Sequence, residues 1–237
     1  HINMKCAASK KSSSKEEFFM KRNALIKMVQ FSILLALEVI MCFTPLGSIP
    51  IGPMVATLAM IPVILTGILL GVGAGAAMGF FAGLFSFIVW TFISPGPTAF
   101  VFTPFVSIGD IHGNGWSLVI CFIPRILTGV VAAVSAKGFA KLLHYKFSIF
   151  TYSLSGILAS LTNTFLVLGG IYLFFGQSYA SALGIAYEAL LGAIGLTILT
   201  NGIPEAVVAA ITSYAIAYPI RKYVMKDPNL RQIKEKK

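Results

Sequence analysis

What most constrains this chain is a series of apolar runs, each about 20 residues long and nearly free of charge, which is the length a helix needs to cross a bilayer. Six such runs fit, at about 24–43, 54–72, 75–94, 116–136, 149–173 and 196–220. Only 11% of the 237 residues are charged and 57% are hydrophobic. A soluble domain carries roughly 25% charged residues, so composition and run length together demand lipid as the solvent. The expected fold is an all-α membrane protein of six transmembrane helices, passing through the cell membrane several times.

A formal net charge of +10 raises the possibility of nucleic-acid binding, but the charges are segregated in a way that argues against it. Lys5, Lys10, Lys11, Lys15, Lys21, Arg22 and Lys27 precede or open the first run. Lys137, Lys141 and Lys146 fall in one connection, and Arg221, Lys222, Lys226, Arg231, Lys234, Lys236 and Lys237 follow the last run. Basic residues confined to alternate polar segments mark the cytoplasmic side. Both termini are therefore expected to be cytoplasmic, and the connections at about 44–53, 95–115 and 174–195, which hold no Lys or Arg, to be extracellular. Residues 1–23 read as a mobile basic tail, 24–223 as the membrane domain and 224–237 as a second basic tail. No apolar core precedes Lys21, so the N-terminal segment does not read as a signal peptide.

The outer connections are Pro/Gly-punctuated yet apolar, as in Thr44 to Pro53 and in the stretch from Ser94 that carries Phe100, Phe102 and Phe105. Packing over the bundle and a lid over a pocket both suit them. The third connection has room for a short helix from Tyr179 to Leu190. Gly67, Gly71, Gly75, Gly79 and Gly83 recur at every fourth position, a ladder that lets helix backbones approach closely. Cys42 and Cys121 lie in apolar runs and read as inert packing residues.

Ionisable and amide groups inside the apolar runs are costly, which makes each a candidate for function. Arg125, Glu205 and Asn163 come from three different runs and fall roughly 14–15 Å below the outer ends of those runs. Glu38 is expected nearer the outer surface. Pro204 has no N–H for the Thr200 carbonyl, which frees an acceptor near Asn201 and Glu205 and favours a cavity there. Two readings stand together. In one, Arg125 and Glu205 form an ion pair with Asn163 as a hydrogen-bond partner; in the other, Arg125 holds an anionic ligand group that Glu205 and Asn163 orient. Enzymatic catalysis finds no support, because His112, His144 and Asp110 have no spacing suited to a triad or a zinc site. No metal or cofactor is expected. The absence of a phosphate-binding glycine loop places any ATP hydrolysis on another subunit.

Several stretches, taken in order, resemble the substrate-binding (S) components of energy-coupling factor (ECF) vitamin transporters, over about Asn23 to Tyr223. They are Ile61-Pro62-Val63-Ile64 with Gly71 to Gly83, Phe100 to Phe105, Pro124-Arg125-Ile126-Leu127, and Asn201-Gly202-Ile203-Pro204-Glu205. The resemblance implies six helices and a water-soluble vitamin captured at the outer face under loops. It also implies a membrane-embedded coupling subunit and two cytoplasmic ATPases as partners, with an S component that topples in the membrane to release its vitamin. The family's helix-one Ala-x-x-x-Ala docking pair corresponds here to Ser32 and Ala36, and Met60 stands where many relatives have a His. The pattern is most similar to the pantothenate-type members, and a buried Arg125 suits a carboxylate ligand. On this reading the substrate-binding residues are Arg125, Asn163, Asn201, Glu205, Phe102 and Glu38, and the docking residues are Ser32, Ala36, Gly71 and Gly75. The alternatives are an S component for another vitamin such as cobalamin, and a stand-alone ion-coupled carrier.

Overall fold

The protein is described by a computed structural model covering residues 2–44, 48–51, 54–93, 95–109, 111–143 and 148–225, with side chains from Arg22 onward except at 23, 48–51, 54–57 and 108. Asp110, His144, Lys146 and the basic tail from Lys226 lie outside the described residues. Helix α1 runs from Ile2 to Phe43, and its apolar portion is Ala24–Phe43, the first expected span. The backbone helix thus continues back through the segment read as a mobile tail. Two short strands follow, β1 (Ser48–Ile51) and β2 (Met54–Thr57), antiparallel with Ile49 opposite Ala56.

The second expected span is shorter than the sequence suggests. Residues 54–57 belong to the strand pair, and helical structure covers only Leu58–Leu70, with α2 proper at Ile61–Leu70. Pro62 sits in the first turn of α2, where no N–H is needed. Gly71 ends it at φ 97°, a conformation that side-chain-bearing residues rarely adopt, and α3 (Val72–Ile88) starts at the next residue. Helix α3 loosens into a π turn at Val89–Ile93. After a 3-10 turn at Ala99–Val101 and a two-residue strand pair come α4 (Gly115–Leu142) and α5 (Ser148–Leu183).

Helix α5 passes ten residues beyond its expected end at about residue 173, because Gln177, Ser178 and Tyr179 are uncharged and interrupt hydropathy without breaking a helix. A turn at Gly184 (φ 68°) leads into a final rod, Tyr187–Val224, made of α6 (Leu190–Thr197), a π turn at Ile198–Gly202, α7 (Ile203–Pro219) and a second π turn. The expected Tyr179–Leu190 surface helix is thus divided between the end of α5 and the start of this rod. Among the described residues, five helices are long and apolar enough to cross a membrane, with Leu58–Leu70 as a shorter apolar helix.

Helix α4 packs against α2, α3 and α5, and α5 against α7. The glycine ladder explains the tightest of these contacts. A Cβ at Gly75 would stand 2.5 Å from the Gly129 carbonyl, and one at Gly79 would strike the carbonyl of Arg125. The core below the cavity is built from Val63, Ile64, Ile68, Met78 and a run of alanines including Ala132, Ala136, Ala159 and Ala209, small residues that let helices meet closely. Phe100, Val101, Ile120, Leu168, Ile171 and Phe175 form a second cluster that seats the 95–105 loop.

Candidate functional site

Pro124 sets the geometry of Arg125. Lacking an N–H, it leaves the Ile120 carbonyl without its helical donor, and Arg125 Nη1 donates to that oxygen at 2.8 Å. A helical side chain leans toward the N-terminus of its helix, so this bond fixes one edge of the guanidinium without strain. The other edge is unused: Nε is buried and has no hydrogen-bond partner. The Phe102 ring lies over the guanidinium with 5.3 Å from the central carbon to the ring centre, and Trp90 stacks on Phe102 at 5.2 Å. Cation and stacked rings therefore make one wall.

The loop carrying Phe102 is held from both sides. Ser117 Oγ donates to the Phe100 carbonyl at 2.7 Å, and Thr91 Oγ1 donates to Thr103 Oγ1 at 2.9 Å. Phe100 and Val101 are fully buried, which anchors the turn just before Phe102. On the opposite wall, the π turn at 198–202 inserts a residue ahead of Pro204, and Ile203 N–H donates to the Ile198 carbonyl five residues back. That wider turn presents Asn201 and Glu205 to the interior. Asn163 of α5 adds a side-chain oxygen that is buried and unpartnered.

These groups enclose a cavity of about 350 Å³. Five of the six residues expected to bind substrate, namely Phe102, Arg125, Asn163, Asn201 and Glu205, line it together. Glu38 does not line it. It is fully buried behind Cys42, whose thiol donates to Glu38 Oε1 at 3.3 Å, while Oε2 has no partner. It is buried inside the bundle, within electrostatic reach of Arg125. Cys42, read as inert packing, in fact lines the cavity, whereas Cys121 packs as expected with its thiol toward the Gly83 carbonyl.

Met41, Met60, Ser86, Trp90 and Thr164 also line the cavity and were not read from sequence as site residues. Met60 gives the wall a thioether rather than a titratable group. Trp90 had a signal of a kind, an aromatic just before the Pro95-Gly96-Pro97 loop, but nothing in the sequence announces the π turn that holds it.

Of the docking candidates, Ser32 and Ala36 lie exposed on α1, beside exposed Met28, Val29 and Ile33. Gly71 marks the sharp turn between α2 and α3. Gly75 is buried against α4, so its close contact is internal to this chain, and the exposed residues of that turn are Val72 and Gly73. His112 is exposed on a short strand, and no cluster of three metal-ligating side chains occurs among the described residues.

Chemically, the cavity can hold a compact polar molecule through one rigidly held cation, two amides and an aromatic shelf. Its size falls in the range of small-ligand sites, and its single cation among the described lining residues favours an anionic group. Residues 26–217 match the family model for the substrate-specific component of ECF transporters. The chain is also 38% identical, over 175 residues, to the pantothenic acid transporter PanT of Lactococcus lactis subsp. cremoris (strain MG1363), a match covering 72% of this chain and 80% of that protein.

Proposed function

We propose, from the premise that this chain belongs to the family of ECF transporter substrate-specific components, that it captures pantothenate at the outer face of the cell membrane. The observation that carries this reading is Arg125: a buried guanidinium with a free Nε, set in a cavity beside two amides and a stacked Phe102–Trp90 pair. A carboxylate meets such a cation by charge-assisted hydrogen bonds, and the hydroxyls and amide of pantothenate suit Asn163, Asn201 and Glu205. A cavity of about 350 Å³ suits a molecule of that size better than one as large as a corrin, which favours pantothenate over cobalamin.

In this proposal the five long helices and the shorter Leu58–Leu70 together make six crossings, with the basic segments inside and the cavity opening outside. Residues 24–223 form the membrane domain between two basic tails. A membrane-embedded coupling subunit and two cytoplasmic ATPases supply the energy, and the chain itself carries out no catalysis.

The two tryptophans give a direct test. Trp90 lines the cavity, whereas Trp116 is half exposed and stacks on Phe174 at 4.1 Å. Pantothenate should change the intrinsic fluorescence of the purified protein, the change should survive Trp116→Phe, and it should vanish in Trp90→Phe. A signal that follows Trp116 instead would move the ligand out of this cavity. Uptake by the chain alone in liposomes under an ion gradient would favour an ion-coupled carrier.

Docking on the coupling subunit is assigned to the exposed Ser32–Ala36 face of α1. Small residues there let a partner helix approach closely. Ser32→Leu and Ala36→Leu should therefore abolish vitamin uptake by the assembled transporter while leaving pantothenate affinity within about twofold of wild type, a shift of under ~0.5 kcal/mol. Normal uptake by both variants would remove this face from the interface.

A further inference from the structure

We propose that the basic end of the final rod holds an anionic phospholipid, with Lys222 and Tyr218 as donors to its phosphate and the helix face beyond them as the seat of an acyl chain. The inference concerns the lipid-facing side of the chain and is independent of what fills the cavity.

The sequence places the charge. From Ala206 to Met225 there is no acidic residue, and Arg221, Lys222 and Lys226 bring three positive charges within six residues before Asp227. The two described cations divide their roles. Arg221 serves the bundle: Nη2 donates to the Ile68 carbonyl at 2.8 Å, and the guanidinium lies over Tyr152, 5.9 Å from the ring centre. Ile68 is in the last turn of α2, where carbonyls lack helical donors, so this bond fixes the end of the rod against the shorter helix.

Lys222, one residue on, is half exposed and engaged by tyrosines. Its Nζ donates to the Tyr218 hydroxyl at 3.0 Å and stands 5.1 Å from the ring centres of both Tyr218 and Tyr223. Tyr218 is steadied in turn by stacking on Tyr214 at 5.4 Å. Among the described residues no carboxylate neutralises this ammonium. Donors are therefore left over. An ammonium has three N–H groups, and the Tyr218 oxygen, by accepting from one of them, keeps its own proton free to donate. An anion with several acceptor oxygens, such as a phosphate, satisfies both groups at once.

The face beyond Lys222 distinguishes a lipid from a free phosphate. Ile211, Ala215, Tyr218 and Lys222 follow one another at four, three and four residues, the spacing of one helical stripe. Ile211 is 62% exposed and Val207, a turn further along, 51%. Ile211 to Lys222 rises about 16 Å, close to half of the roughly 30 Å hydrocarbon layer and so to the depth of one leaflet. An open apolar strip of that length, ending in a cation and two phenols, repeats the polarity of a phospholipid, and tyrosine and lysine at the end of a membrane helix lie at headgroup level. The negative charge of the lipid complements this end of the rod.

The test is native mass spectrometry of the purified full chain in mild detergent, titrated with phosphatidylglycerol, with phosphatidylcholine of the same acyl chains, and with glycerol 3-phosphate as a soluble headgroup. Wild type should retain phosphatidylglycerol in preference to phosphatidylcholine and should retain no glycerol phosphate. In Lys222→Gln that preference should fall about fivefold, the effect of one lysine at an anionic lipid surface. Tyr218→Phe should lose part of it and Lys222→Arg should keep it. Lys141→Gln, which removes an exposed charge from α4, should keep it as well.

Equal retention of the two lipids by wild type would overturn the proposal, and that measurement needs no variant to fold. An equal loss in Lys222→Gln and Lys141→Gln would overturn it by reducing the preference to diffuse charge. Glycerol phosphate bound as tightly as the lipid would overturn it by making this a site for free phosphate. A Lys222→Gln chain that keeps its lipid preference but fails to assemble with the coupling subunit would overturn it by giving the surface to a protein.

Discussion

Arg125→Gln is expected to weaken pantothenate binding on the order of 100-fold, about 3 kcal/mol, because two charge-assisted hydrogen bonds at a buried site are lost together. Binding of uncharged panthenol should fall far less. The same substitution also takes the Arg125 donor from the Ile120 carbonyl, which Pro124 leaves without a helical one, so the melting temperature should fall as well. Affinity and melting temperature of the variant separate the two effects. An unchanged affinity in a folded Arg125→Gln protein would take Arg125 out of the site.

The second large effect lies in the packing of α3 on α4. At Gly79 even one methyl group would collide with the carbonyl of Arg125, and neither backbone can yield without moving its helix. Gly79→Ala is expected to cost about 3 kcal/mol or more, which for a protein of this size lowers the melting temperature by roughly 10 °C. Because the struck carbonyl belongs to Arg125, pantothenate affinity should fall with it. Gly73, on the same helix with nothing within 4 Å of an added Cβ, provides the control. Gly73→Ala should stay within ~1 kcal/mol of wild type. Equal melting of the two variants would mean that α3 and α4 do not approach as closely as described here.

Much of the architecture is legible from hydropathy because lipid selects on length and charge alone. The apolar part of α1 is Ala24–Phe43, as the first run suggests. The second run misleads because Met54 to Thr57 are as apolar as the helix that follows, and only pairing with Ser48–Ile51 identifies them as a strand. In the site, Arg125, Asn163, Asn201 and Glu205 stand out because polar groups in apolar runs are rare. Trp90, Cys42 and Met60 do not, since an aromatic, a thiol and a thioether are ordinary in lipid-facing helices. Which carboxylate comes nearest Arg125 depends on how far each helix is shifted along the bundle. Counting residues from estimated ends does not resolve that shift, as the ten extra residues of α5 illustrate.

The shortness of the Leu58–Leu70 helix has an electrical consequence. It rises about 20 Å, some 10 Å less than the hydrocarbon layer is thick. The β1–β2 pair that precedes it packs against the π turn at Ile198–Gly202, and non-helical backbone persists within a membrane only inside protein or against water. With the cavity facing outward as proposed, water entering it would form a conducting recess, and the transmembrane voltage would fall mainly across the helical floor beneath Arg125. An anion driven across the whole field against an inside-negative potential would be opposed by about 2.3 kcal/mol per 100 mV. One that descended through the recess would reach Arg125 having crossed little of that field. On the proposed orientation, the short helix would thus let an energised membrane hold its voltage without expelling an anionic ligand from the site.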